Sequence, residues 1–216
     1  MKSILVIGMG RFGRRFAEKM LELGNDVMIV DKSSDIITSR SAYFTDSYIG
    51  DCTSKEVIRA LGVSNFDLCL VAIGEDFQPS LVITSLLKEH GAKYVVSKAR
   101  QDIQADLLKK IGADEVIYPE RDMAEKLAVR FNATNLFDFI DLTEEYAIFE
   151  IAILEDWVGM TVAEANVRKK YKVNIIAVKT DGHLNPMPGG DYRFRAGDHI
   201  VIIGKDADVN KLSNRI

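Results

Sequence analysis

The chain has 216 residues, and at about 150 residues per domain that length allows one or two domains. Hydrophobic residues make up 47% and charged residues 28%, enough apolar material for a core without metal or disulfide staples. The formal net charge of −4 argues against a chain-wide attraction to nucleic acid, and the two cysteines, Cys52 and Cys69, cannot build a disulfide framework.

The longest apolar runs, around Ile4, Leu70 and Ile202, are strand-sized and far below the ~20 residues of a membrane-spanning helix. The first residues enter a strand at once, with no signal segment. The expectation is a soluble cytoplasmic protein, held at a membrane only through a partner. The three histidines lie far apart and match no zinc spacing.

Short β-branched runs predict strands at Ser3–Ile7, Val27–Asp31, Asp46–Ile49, Asp67–Ala72, Lys93–Ser97 and Glu115–Tyr118. Helical patterns alternate with them at Arg11–Leu23, Ser34–Ser41, Ser54–Leu61, Gln78–His90, Asp102–Ile111 and Pro119–Phe131. Phe12, Phe16, Met20 and Leu23 recur at helical spacing and predict one buried face. Gly24, Gly62, Gly91 and Gly112 each follow a periodic segment, as helix stops do. This alternation predicts a Rossmann-like α/β fold: a doubly wound parallel sheet, with the apolar first, fourth and fifth strands at its centre.

The rhythm changes after Phe131. Asn132–Asp141 is a short stretch whose hydrophobic members are Leu136, Phe137, Phe139 and Ile140. Strands are then expected at Tyr146–Leu154, Val173–Lys179 and His199–Ile203, with a helix near Val162–Lys170 and another over Asp208–Ile216. Asp181-Gly182 reads as a hairpin turn, and Pro186 to Gly190 as an irregular loop. The expected division is a nucleotide-binding domain over 1–141 and a small α+β domain over 142–216 with a marginal core.

Gly8-Met9-Gly10-Arg11-Phe12-Gly13 follows the first strand and opens the first helix. Gly8 permits a tight turn, Gly10 lets a phosphate approach the backbone, and Gly13 lets helix and sheet pack closely. The helix N-terminus favours an anion. Asp31 ends the second strand, where a carboxylate accepts hydrogen bonds from ribose hydroxyls and repels a 2′-phosphate. Arg11 stands beside the phosphates and suits a more highly charged ligand such as ATP or ADP. Asp51 is placed either to meet adenine or to cap the helix near Ser54. Ala72, Ile73 and Gly74 end the fourth strand beside the strand-order reversal, and Glu75 and Asp76 follow as helix-start acids. Lys98 either faces a phosphate or is a surface lysine. No catalytic set assembles: there is no Walker lysine, no nucleophile elbow and no plausible acid–base neighbour in sequence for any histidine. The main competing reading is an NAD-dependent oxidoreductase or redox-sensing protein. A DNA-binding repressor would need a helix-turn-helix that is not visible.

The glycine turn with Arg11-Phe12, Asp31, Gly50-Asp51, Val71 to Gly74, and Ile111-Gly112-Ala113-Asp114 running to Tyr118-Pro119-Glu120 resemble the RCK domain (regulator of potassium conductance). The set is similar to the cytoplasmic regulatory subunits of Ktr/Trk potassium-uptake systems. The resemblance extends to the Arg195-Ala196-Gly197-Asp198 turn and so covers nearly the whole chain. It implies a non-enzymatic homo-oligomer, with dimers assembling to an octameric ring on a membrane potassium-translocating subunit. It implies ATP or ADP in the N-terminal domain, with NAD(H) in the same cleft of relatives. Arg11 would meet a terminal phosphate, of its own or a neighbouring subunit's nucleotide, while Asp31 would hold the ribose and Asp51 lie near adenine. Glu120 matches a residue that coordinates a divalent cation in some members, although an acid in a helix's first turn needs no such role. Asn174, Ile175 and Ile176 match the cyclic di-AMP region of the second subdomain, beside basic Arg168 to Lys170 and Lys172.

Overall fold

In the computed structural model, β1 (Ser3–Ile7) is apolar along its length because it feeds two cores at once. Ile4 and Val6 pack with Ala17 on one side of the sheet, while Leu5 and Ile7 pack with Ile58, Ile83 and Leu87 on the other. Successive strand side chains point to opposite faces, so a strand covered on both sides reads as a continuous apolar run. The structure describes residues 1–74, 76–132 and 135–213. Glu75, the first of the two helix-start acids, lies outside the described residues, as do residues 214–216, to which the expected C-terminal helix extended.

The first unit covers Met1–Asp122. After β1 come α1 (Arg11–Glu22), β2 (Asp26–Asp31), α2 (Ser34–Thr38), β3 (Asp46–Ile49) and α3 (Lys55–Leu61). Then come β4 (Leu68–Val71), α4 (Phe77–Glu89), β5 (Val95–Lys98), α5 (Asp102–Lys110), β6 (Glu115–Ile117) and the start of α6 (Pro119–Asn132). All six strands are parallel, in the order β3-β2-β1-β4-β5-β6. The expected doubly wound fold is therefore present, with strand order reversing between β1 and β4. Leu23 departs from the expected helix face: it is exposed, and Leu21 packs on the core instead. The helix ends at Glu22, so Leu23 no longer follows its periodicity.

The second unit is an antiparallel sheet of β7 (Leu136–Asp141), β8 (Tyr146–Ala152), β9 (Asn174–Thr180), β10 (His183–Pro186) and β11 (His199–Lys205), in the order β10-β9-β11-β8-β7. Contacts divide the chain between Asp122 and Met123 rather than near Asp141. The reason is β7: this partly apolar stretch is a strand that pairs with β8, and Phe139 stacks on Phe149. Short helices α7 (Val162–Ala165) and α8 (Val167–Tyr171) replace the single expected helix, because Asn166 between them takes a left-handed conformation (φ 48°). Thr161 and Glu164 form a reciprocal capping box at the start of α7. The Asp181-Gly182 hairpin is present, both residues having positive φ. The loop expected from Pro186 begins later, since β10 is an edge strand and tolerates a proline. A final helix, α9 (Asp206–Ser213), contributes Val209 and Leu212 to the core.

That core is fuller than the marginal one expected. Trp157, Phe194, Ile151, Ile200 and Ile202 are all buried in it. At its edge Asp198 is buried and accepts hydrogen bonds from Thr180 Oγ1 (2.6 Å), Tyr192 OH (2.9 Å) and the Arg195 N–H (2.8 Å). The Arg195-to-Asp198 turn is thus fastened to β9 through one carboxylate. Asp198→Ala leaves three donors without their acceptor. It should lower stability by roughly 3–5 kcal/mol, read as the urea midpoint of unfolding, and an unchanged midpoint would contradict this role.

Candidate functional site

The glycine turn is built as its residue types require. Gly8 sits at φ 96°, and its N–H donates to the Val30 carbonyl. Gly13 is the packing glycine: a Cβ there would collide with the Gly8 carbonyl oxygen and press on Ala72 Cβ. Gly10 differs, because a Cβ there meets nothing within 4 Å. It is the N-cap of α1 and faces open space, beside backbone N–H groups that the first helical turn cannot satisfy internally. Asp31 does more than ribose binding would require. Its Oδ2 accepts the Met9 N–H (2.8 Å) and its Oδ1 the Ser33 N–H (2.9 Å), so it braces the glycine turn against the end of β2.

These elements enclose a cleft of about 620 Å³ at the carboxyl ends of β1, β2 and β4. It brings together Gly8, Gly10, Asp31, Asp51, Ala72, Ile73 and Gly74. Lys32 and Cys52 line it as well, which sequence reasoning missed. Cys52 is buried among core residues, and its position after Asp51 also places it against the cleft. Burial pushes its thiol up to about 12, so it contributes bulk rather than a nucleophile. Asp51 does not cap α3, whose N-cap is Ser54. Its Oδ1 accepts both the N–H and the hydroxyl of Thr53, bonds that hold its carboxyl below the usual range. Asp76 caps α4 by accepting the Gln78 N–H at 3.2 Å.

A smaller cavity of about 360 Å³ adjoins the cleft and shares Ile73, Gly74 and Asp76 with it. Lys98 lines it and is buried rather than a surface lysine. Its Nζ lies 2.6 Å from Glu120 Oε1 and 5.6 Å from the centroid of the Phe12 ring. Arg100, unassigned by sequence reasoning, donates to the Gly74 carbonyl at 2.8 Å. Arg11 is exposed and outside both cavities.

Two expected sites are not assembled by the residues of one chain. Glu120 faces the Lys98 ammonium, which opposes a cation there, and the described residues hold no cluster of three metal-ligating side chains. In the second unit Ile175 packs on the core while Asn174 and Ile176 are exposed, so the three do not present one surface to a cyclic dinucleotide. Alternation along β9 explains this.

A strand, a glycine turn, a helix N-terminus and an acid at the end of the next strand define a nucleotide-binding module of the Rossmann type. The TrkA-N domain model matches residues 4–119 and the TrkA-C domain model residues 147–216. The chain therefore belongs to the TrkA-N/TrkA-C family of Ktr/Trk potassium-uptake proteins, as its resemblance to RCK regulatory subunits led us to expect. It is 34% identical to Ktr system potassium uptake protein C of Bacillus subtilis (strain 168), over 100% of this chain and 97% of that protein. Among solved structures it resembles the GsuK channel bound to NAD (TM-score 0.71, 17% identity, 98% of this chain and 39% of that chain). It also resembles GsuK bound to ADP (TM-score 0.54, 16% identity, 62% of this chain and 35% of that chain). It thus spans well under half of those channel chains, and the likeness is one of fold. No helix among the described residues is long and apolar enough to cross a membrane.

The two glycines separate packing from ligand space. Gly13→Ala should lower the melting temperature of the ligand-free protein by several degrees, whereas Gly10→Ala should leave it within about two degrees. Differential scanning fluorimetry tests both, and equal losses would remove the distinction.

Proposed function

We propose that this protein is a cytoplasmic, nucleotide-sensing regulatory subunit that gates potassium movement through a membrane partner. The observation that carries the reading is the space at Gly10: open to a ligand, lined by N–H donors, and flanked by an acid pinned to the same turn. Those donors and the helix dipole suit the inner phosphates of ATP or ADP. The second oxygen lone pairs of Asp31 suit ribose hydroxyls, and Cys52, Ile36 and Val82 offer an apolar wall for adenine. NAD(H) fits the same turn, with its second half toward the adjoining cavity. The relative's name supplies the potassium context, and sensing rather than turnover fits the placement of the histidines. His90 caps α4, its Nδ1 against the Leu86 carbonyl, and His183 and His199 lie in the second unit.

Isothermal calorimetry on wild type, Asp31→Ala and Arg11→Ala tests the reading. Asp31→Ala should lose roughly 1.5–3 kcal/mol of nucleotide affinity, since both ribose partners and the brace on Met9 go with it. Arg11, exposed and outside both cavities, is expected to reach only the terminal phosphate of a neighbouring subunit's nucleotide. Arg11→Ala should therefore bring ATP and ADP affinities together and leave ADP binding nearly intact. Equal loss of both ligands would assign Arg11 to the inner phosphates.

The resemblance to RCK subunits implies dimers assembled into an octameric ring at the membrane surface, and helix α6 offers an apolar face for association. Among its 14 residues none is buried, yet Met123, Leu127 and Phe131 recur every fourth position, and Phe131 is 75% exposed. A helix of this length is marginal in water unless an apolar face is covered. Light scattering at micromolar protein should give a multiple of 24.1 kDa, reduced by Leu127→Asp. A monomeric wild type would defeat the ring.

A further inference from the structure

Two complementary charges line the larger cleft without touching each other. Lys32 is exposed and makes no hydrogen bond or ion pair among the described residues. Asp51 uses one oxygen only: Oδ1 accepts the N–H and the hydroxyl of Thr53, and Oδ2 accepts no hydrogen bond among the described residues. Asp31, the acid next to Lys32, differs, because each of its oxygens already accepts a backbone N–H. The acceptor left for the Lys32 ammonium is therefore Asp51 Oδ2.

The sheet brings the two to one end of the cleft. Lys32 follows the last residue of β2, and Asp51 comes just after the last residue of β3. β2 and β3 are parallel neighbours with Asp31 in register with Ile49, and the Gly50 N–H donates to the Asp31 carbonyl at 3.0 Å. The Thr53 bonds hold the Asp51 carboxyl below its usual range, and the Lys32 charge adds to their effect. The two groups thus sense each other across a gap, and that gap belongs to the cleft. Ile36, Cys52, Val82 and Ile83 supply the apolar part of the same lining. A planar base set on that apolar wall turns its other face to water. A lysine covers such a face with its methylenes while its ammonium stays in contact with a carboxylate or with water. An ammonium close to an aromatic face gains a further attraction from the ring.

We propose that Lys32 is the clasp of the base: its stem lies over the outer face of adenine, and its ammonium closes on Asp51 Oδ2. This rests on the nucleotide reading above and deepens it by naming the residue that completes the base compartment. The free cleft lacks this closure, because an exposed pair by itself returns too little to order a long side chain. A bound base adds the contact that makes the ordered form worthwhile. The clasp acts at the base end, so ATP and ADP gain from it alike, whatever happens at their terminal phosphates.

The test is calorimetry with ADP and ATP on the full chain as wild type, Lys32→Ala, Lys32→Met, Asp51→Asn and the Lys32→Met/Asp51→Asn double variant. Lys32→Ala removes stem and charge together and should weaken both nucleotides about tenfold, to the same extent. Lys32→Met keeps the stem and should weaken them only about threefold. In the Asp51→Asn background, Lys32→Met should have no further effect. Lys32 is exposed and unbonded, so the ligand-free melting temperatures of Lys32→Ala and Lys32→Met should stay within about two degrees of wild type. The binding comparison is then made between folded proteins. ADP affinity unchanged by Lys32→Ala overturns the clasp while the nucleotide reading stands. A Lys32→Met loss that is the same with and without the Asp51 carboxylate overturns the closure on Asp51. A wild type that binds neither nucleotide overturns both readings.

Discussion

Helix α1 can meet the sheet where it does only because Gly13 has no side chain. The Gly8 carbonyl and the Ala72 methyl occupy the space that a Cβ would need. That close approach sets the position of the helix N-terminus, and with it the donors beside Gly10. The Asp31 carboxylate then ties the turn to β2 through the Met9 N–H. One backbone contact and one side-chain bond thus set the geometry of the cleft, and the remaining cleft residues follow from strand ends that the sheet aligns.

The two units handle buried polarity in opposite ways. In the second unit Asp198 is fully enclosed and meets three donors, so its network is closed and serves to fasten a turn. A buried polar group with all its partners rigidifies what surrounds it. In the first unit Lys98 has a partner that reaches in from the surface. Its charge is satisfied, yet by a group with an alternative in water. The first arrangement fastens a scaffold, while the second leaves one end of the pair in water.

The larger cleft and its polar neighbour share a wall at Ile73 and Gly74, just where the strand order reverses. Crevices at such reversals are where open α/β sheets bind ligands, because neighbouring loops splay to opposite faces. Here the two compartments differ in chemistry: one is largely apolar with Asp31, Asp51 and Asp76 in its lining, and the other shares Asp76 and carries Lys98, Arg100 and two glutamines.

Local rules carried much of this protein. Period-two and period-3.6 hydrophobicity, with glycine stops, determined the elements of the first unit to within a few residues, and the glycine turn with Asp31 marked the cleft. These signals are legible because each depends on residues adjacent in the chain. What the tertiary structure decided are pairings across long separations. Whether Leu136–Asp141 closes the first unit or edges the second sheet depends on β8, and whether Lys98 is a surface lysine or a buried cation depends on Phe12 and Glu120. The second duty of Asp31, holding Met9, likewise arises only once β1 and β2 lie side by side. Spacing along the chain fixes which face a side chain takes, but packing between distant segments fixes what it finds there.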